Sequence, residues 1–295
     1  MTTRFKNTGT VRTMLMAGAL AAGLALTAAG PAAAAPATAQ LPQGSEIPLG
    51  DGYMGVGYLK DAKDFKPDTR HVLISPDMVT PMAFTGGPVG IDVSHYQGTI
   101  NWSAVKAAGI SFAYIKDTEG TTYKDPTFNA NYLNAYKAKV IRGAYHFAQP
   151  GSSSGATQAN YFASNGGAWS ADNLTLPGMV DLEGGCYGLS ASAMDSWILD
   201  FYNTYKARTT RDVVIYTSPS WWNTCTGGWS GMSARSPLFV ADWTTAANPT
   251  IPAGFPFATL WQYTDAGSVS GISGAVDRDR FNGDSARLLA LANNT

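Results

Sequence analysis

From about residue 86 the chain alternates short β-rich runs with amphipathic helical stretches, and this rhythm restricts the fold more than any other feature. Eight runs recur: Val89–Val93, Ser111–Ile115, Arg142–Phe147, Gly178–Leu182, Asp212–Thr217, Pro237–Ala241, Ala258–Tyr263 and Gly274–Arg278. Helical patterns follow the first four, at Trp102–Ala108, Asp125–Ala138, Thr157–Ser164 and Ser190–Ala207. Phe128, Tyr132 and Tyr136 step by four along one face, as do Trp197, Phe201 and Tyr205 behind Ser190 as N-cap. Strands alternating with helices imply parallel β/α units, and eight of them suit a closed barrel. The links between the later runs are short and carry Pro, Gly and Trp. The expected fold is therefore α/β: an irregular TIM-like (β/α) barrel of eight strands. Its helices come mainly after the first five strands, and loops or reversed strands close the rest. A doubly wound open sheet would need a phosphate-binding Gly loop after its first strand, where this chain has Ser94-His95-Tyr96-Gln97-Gly98.

The residues ahead of the barrel divide in two. Arg4, Lys6 and Arg12 precede an apolar stretch, Met14–Ala29, and the small residues Ala32–Ala35. That is the layout of a secretory signal peptide, and the apolar run falls short of the ~20 residues that span a bilayer. Residues 36–85 are rich in Pro and Gly without a sustained period, as in a propeptide or extended leader, with a loose N-terminal arm on the mature domain as the alternative; 86–295 form the barrel domain. The expected location is secreted and extracellular.

Charge looks different once the signal is set aside. The whole chain has 20 Lys+Arg and 21 Asp+Glu. Residues 1–35 hold three of the bases and no acid, so 17 bases against 21 acids remain, a net charge of −4. No basic footprint for nucleic acid exists. With 45% hydrophobic residues and 8 Trp, the chain can build a large core. Export also sets the redox context: Cys186 and Cys225, a pair with no spare thiol, are expected to form a disulfide.

Functional residues of β/α barrels sit at the C-terminal strand ends. Here those ends carry Asp92, Lys116 to Gly120, Tyr145, Asp181 with Glu183, Tyr216, Asp242, Trp261-Gln262-Tyr263, and Asp277 with Asp279. Asp181 and Glu183, two apart on a strand, project from one face. Two close carboxyls raise each other's pKa, which supplies a protonated acid beside a charge-stabilising carboxylate. Glycosidic cleavage needs that pair. Trp221, Trp222, Trp243, Trp261 and Tyr263 offer flat faces for sugar rings, with Gln262 as a hydrogen-bonder; core packing competes for each, evenly so for Trp261. Trp102 and Trp197 belong to the core. The three histidines, His71, His95 and His146, form no HExxH, and the acids from Asp277 to Asp284 miss the EF-hand spacing. No metal or cofactor is expected.

The chain resembles glycoside hydrolase family 25, the secreted bacterial and phage lysozymes. The resemblance lies in Gly90–Gly98, Asn101-Trp102, Phe112–Lys116 with Thr118-Glu119-Gly120, Gly143–Phe147, Val180–Glu183, Trp261-Gln262-Tyr263 and Val276-Asp277, and covers about residues 88–292. It implies an irregular eight-stranded barrel that hydrolyses the β-1,4 bond between N-acetylmuramic acid and N-acetylglucosamine in peptidoglycan. It implies Glu183 as general acid and Asp181 as the carboxylate supporting an intermediate, through the substrate's own N-acetyl group or directly. Asp92 and Asp277 become further cleft acids, and Asp242, Tyr145 and Trp261 line the substrate. Tyr216 and Gln262 join them as strand-end groups. Asp117 departs from the pattern, which has a small residue before Thr118-Glu119-Gly120; its charge either perturbs the cleft or points away from it. A chitinase-like hydrolase and a non-catalytic wall-binding module are the competing classes, and a monomer is the default state.

Overall fold

A computed structural model describes residues 47–55, 84 and 86–295. The expected signal peptide, His71 and most of the expected leader lie outside the described residues. Nine strands are described: β1 (Val89–Val93), β2 (Phe112–Glu119), β3 (Tyr123–Lys124), β4 (Ile141–Phe147), β5 (Met179–Leu182), β6 (Val214–Thr217), β7 (Leu238–Ala241), β8 (Leu260–Gly267) and β9 (Val276–Phe281). β1 pairs with β2 on one side and β9 on the other, which closes eight strands into a barrel, with β3 appended antiparallel to the end of β2. β9 is the reversed strand: it runs antiparallel to both β8 and β1, while every other neighbouring pair around the barrel is parallel.

Helices α1 (Trp102–Ala107), α2 (Phe128–Lys137), α3 (Gly155–Phe162) and α4 (Ala191–Thr209) follow β1, β3, β4 and β5. The α4 N-cap is Ser190, whose hydroxyl accepts from Ala193 N at 3.3 Å. Along α4 the rings of Trp197, Phe201 and Tyr205 lie 5.6 and 6.5 Å apart in succession. On α2 the rings of Phe128 and Tyr132 meet at 4.9 Å, and the Arg142 guanidinium stacks on Tyr132 and Tyr136. Two helices escape the sequence pattern. α5 (Pro219–Cys225) is short and starts on Pro219 behind the Ser218 cap; α6 (Ser285–Asn293) is capped by Asp284, whose Oδ1 accepts from Arg287 N at 2.8 Å.

Strand alternation sorts the core into two shells. Ile91, Val93, Ala113, Ile115, Val180, Leu182 and Val240 face outward beneath the helices. Phe112, Tyr114, Tyr145, Met179, Val214, Tyr216, Phe239 and Leu260 fill the barrel. The filling is more aromatic than the Val, Ile and Leu expected of barrel interiors, and glycines make the room. A Cβ on Gly90 would lie 2.3 Å from the Phe112 ring, and one on Gly143 2.4 Å from the Tyr114 ring. The Cys186–Cys225 disulfide spans Cα atoms 5.3 Å apart and ties the loop after β5 to the end of α5. Among the described residues no helix is long and apolar enough to cross a membrane.

Candidate active site

The mouth at the C-terminal ends of the parallel strands gathers carboxyl groups from three strands. β1 presents Asp92, and β5 presents Asp181 with Glu183 just beyond its end. β9 presents Asp277 and Asp279; because it runs backwards, its N-terminal half reaches the mouth, with Asp277 paired against Asp92 in the ladder. Asp92, Asp181 and Asp279 are 1% exposed or less, and Glu183 is 3% exposed.

Burial disfavours their charged forms first, and their mutual repulsion adds to it. Asp92 is driven up to about 7 by burial, against hydrogen bonds with Gln262, Asp277 and Asp279 that pull it down. Asp181 is held well above the usual carboxylate range by burial and then by the charges of Glu183 and Asp92, with Lys116 opposing. Burial and Asp92 raise Asp277 and Asp279 in the same way. Carboxyls this close cannot all stay ionised, so the cluster shares protons and can hold an acid beside a carboxylate, the arrangement that general acid catalysis uses.

Hydrogen bonds hold this cluster in place. Gln262, fully buried on β8, donates through Nε2 to Asp92 Oδ2 at 2.8 Å. Its Oε1 accepts from the Tyr216 hydroxyl at 2.8 Å and from Trp243 Nε1 at 2.9 Å. Tyr145 is buried inside the barrel, its hydroxyl held well above its usual pKa by burial and then by Asp92 and Asp181. At the end of β2, buried Lys116 donates to Glu119 Oε2 at 2.6 Å. A bulge between Lys116 and Thr118 puts that pair on one face. Gly184 and Gly185 then lead from Glu183 into the disulfide, and the Gly185 carbonyl accepts from Trp221 Nε1 at 3.3 Å.

The structure brings Asp92, Asp181, Glu183, Asp277, Tyr145, Tyr216 and Gln262 together. Two other expected residues stand apart. Trp261 alternates with inward-facing Gln262 and so points out of the barrel, 2% exposed, edge-on to Phe84 at 5.5 Å. It is a core residue of the outer shell, and its Nε1 donates to the Asp242 carbonyl at 2.7 Å. Asp242 sits half-buried after β7, its Oδ2 accepting from Thr250 N at 2.7 Å. Trp221 and Trp222 are core residues too, whereas Trp243 lies at the mouth through its bond to Gln262.

His146 lies between Thr118 Oγ1 (2.8 Å) and Gln158 Oε1 (2.9 Å) outside the barrel, and His95 Nδ1 meets Asp125 Oδ2 at 3.0 Å. Asp117, the bulged residue, is buried in the outer layer 3.9 Å from Lys124 Nζ, and burial raises it to about 7. Its charge therefore points away from the cleft. Sequence reasoning placed Asp279 at a strand end but gave it no role in the cleft, and gave none to the Lys116–Glu119 pair. The signal for Asp279 was its two-residue spacing from Asp277. Among the described residues, no group of three or more His, Cys, Asp or Glu is arranged to hold a metal.

Comparison with known proteins agrees with this geometry. The model of the family Glycosyl hydrolases family 25 matches residues 91–272. Lysozyme M1 of Streptomyces globisporus is 59% identical over 288 residues, covering 96% of this chain and 94% of its own. The N,O-diacetylmuramidase of a Chalaropsis species is 45% identical over 200 residues, 64% of this chain and 95% of its own. The crystal structure of the bacterial lysozyme from Streptomyces coelicolor aligns with a TM-score of 0.70 at 65% identity, over 72% of this chain and 99% of its own. An acid-lined barrel closed by one reversed strand, matched over more than half its length by that family's model, places the chain in glycosyl hydrolase family 25.

Proposed function

We propose that the chain is a secreted, monomeric lysozyme that hydrolyses the β-1,4 bond between N-acetylmuramic acid and N-acetylglucosamine in bacterial peptidoglycan. The observation that carries this reading is the buried carboxyl pair of Asp181, near the end of β5, and Glu183 just beyond it, whose mutual repulsion favours one shared proton between them. The muramidase and lysozyme names borne by similar proteins support the same bond.

In the proposed reaction Glu183 gives its proton to the glycosidic oxygen as the bond to the muramic acid C1 breaks, the electron pair leaving with that oxygen. Positive charge then develops at C1. Asp181, with Asp92 behind it, stabilises that charge, either directly or by steadying the substrate's acetamido oxygen as it closes on C1. Water next attacks C1, breaking the bond to the acetamido oxygen on the assisted route and returning its electron pair to the acetamido group, and gives its proton to Glu183, which restores the acid. Gln262, Tyr216 and Tyr145 fix the acids, and Asp277 shares the proton load of Asp92. Trp243 forms part of the rim toward the glycan.

The test is to digest purified peptidoglycan with the secreted protein and reduce the new chain ends with borohydride. Reduced muramic acid is the expected product. Reduced glucosamine would move the chain to the chitinase-like class, and no new ends would leave a wall-binding module.

A further inference from the structure

The mouth that carries these acids is occupied by the chain itself. Residues Ile47 to Gly55, from the stretch expected to be a leader, lie across the strand ends. Gly50 N donates to Glu119 Oε1 at 3.0 Å, and the Ile47 carbonyl accepts from Gln149 Nε2 at 2.9 Å. Lys116 Nζ donates to the Gly52 carbonyl. Met54 has no exposed surface and joins the inner cluster with Tyr145 and Tyr216. The Tyr53 ring meets Tyr96 edge-on at 5.0 Å, and the charges of Glu183 and Asp277 act on its hydroxyl. The segment thus reaches groups at or just beyond the ends of β1, β2, β4, β5 and β7, the last two through Ile47 beside Gly184 and Gly55 beside Trp243.

Its glycines show how close the fit is. A Cβ on Gly52 would lie 2.5 Å from the Phe147 ring. One on Gly55, at φ +89°, would lie 2.8 Å from Trp243 and 3.3 Å from Gln262 Oε1. These two positions admit little but glycine, whereas an arbitrary tether resting on a surface would carry no such restriction. Apart from Asp51, which is exposed, the segment is uncharged, so it brings no further anion into a mouth already crowded with carboxyls.

We propose that residues 47–55 are an intramolecular inhibitor of the glycan cleft, and that the chain bearing them is a latent precursor until its leader is removed. The inference rests on reading the mouth as the glycan site. Met54 fills the space beside the acids, and the backbone takes the hydrogen bonds of Lys116, Glu119 and Gln149, so peptide and glycan cannot be bound together. Tethering places such a segment at an effective concentration of about millimolar. Only the fraction of molecules with the segment displaced can bind substrate, and apparent affinity falls by that fraction.

The experiment inserts a specific protease sequence after Asp68 of the secreted chain and measures release of reducing ends from peptidoglycan before cutting, and after cutting and gel filtration. The uncut chain should be slower by about tenfold or more. Met54→Asp and Gly52→Leu should each raise the uncut rate toward the cut rate while leaving the cut rate unchanged. Because burying a charge at 54 could disturb folding, the glycine variant carries the test where Met54→Asp is poorly folded. A labelled peptide of residues 47–55 should bind the cut chain saturably by fluorescence anisotropy. Equal rates before and after cutting, substitutions without effect on their ratio, or a peptide that does not bind would each overturn the inhibitor. A cut chain that binds the peptide but hydrolyses no peptidoglycan would overturn the glycan reading instead.

Discussion

Glu183 and Asp92 illustrate how a few residues set the chemistry. Glu183→Gln keeps the shape and removes the transferable proton. Its kcat on peptidoglycan should fall about 10²–10⁴-fold, with KM and melting temperature little changed. A variant with near-native kcat would remove Glu183 from the reaction. Asp92 depends on Gln262, whose amide donates to its carboxylate and lowers its pKa. Gln262→Leu removes that donor, so Asp92 should stay protonated beyond about pH 7, read as a rise in the carboxyl midpoint by NMR titration. The same strand explains one divided reading. Adjacent residues on a strand face opposite ways, so Gln262 and Trp261 cannot both line the mouth. Alternation alone could have settled the pair once either one was placed; no single-residue signal says which.

At the scale of elements, the eight strands and the first four helices could be read from their periods, because each buries one face. α5 and α6 could not, since they span only 7 and 9 residues, too short for a sustained period; their signals are the Ser218 and Asp284 caps. The reversal of β9 was open in the sequence, because the acids at 277 and 279 look alike whichever way the strand runs. The bulge in β2 left no trace either: one extra residue in Lys-Asp-Thr-Glu shows only against the partner strand. It turns Asp117 into the outer layer beside Lys124. Asp117→Ala should therefore leave the pH–activity profile unchanged and leave stability equal or higher by about 1 kcal/mol, read by urea unfolding. A shifted activity profile would place its charge in the cleft after all. The disulfide anchors the loop that follows Glu183. Replacing Cys186 and Cys225 by Ser should cost about 2–5 kcal/mol by the same measurement and lower kcat as the loop loosens.

The whole molecule inherits an unusual acid–base character from its mouth. Asp92 and Asp117 rise from 3.8 to about 7, and Asp181, Asp277 and Asp279 are likewise held well above the usual carboxylate range. Below about pH 4 folded and unfolded chains both hold these protons, and the stability is fully present. As pH rises toward 7 the unfolded chain releases protons that the folded chain keeps. The stability held by these carboxyls is lost over that range, as a group rather than one by one. His146 opposes this: burial lowers it to about 4, so its contribution is present above 6.5 and lost as pH falls. One histidine against six raised carboxyls, Asp195 at about 6 included, leaves the balance acidic. Thermal unfolding should occur several degrees higher at pH 5 than at pH 8, and Asp92→Asn should flatten that slope; a melting temperature that rises toward pH 8 would contradict it. The reversed β9 has a further consequence. It carries the chain from the mouth back to the opposite end of the barrel, where Leu288 and Ala292 of α6 plug the interior and Arg211 donates to the Ala292 carbonyl at 3.2 Å. Thr295 therefore emerges at the end of the barrel away from the acids. An enzyme immobilised or fused through its C-terminus would present its cleft outward, toward an insoluble wall, while a partner joined at the N-terminal side would have to share the doorway.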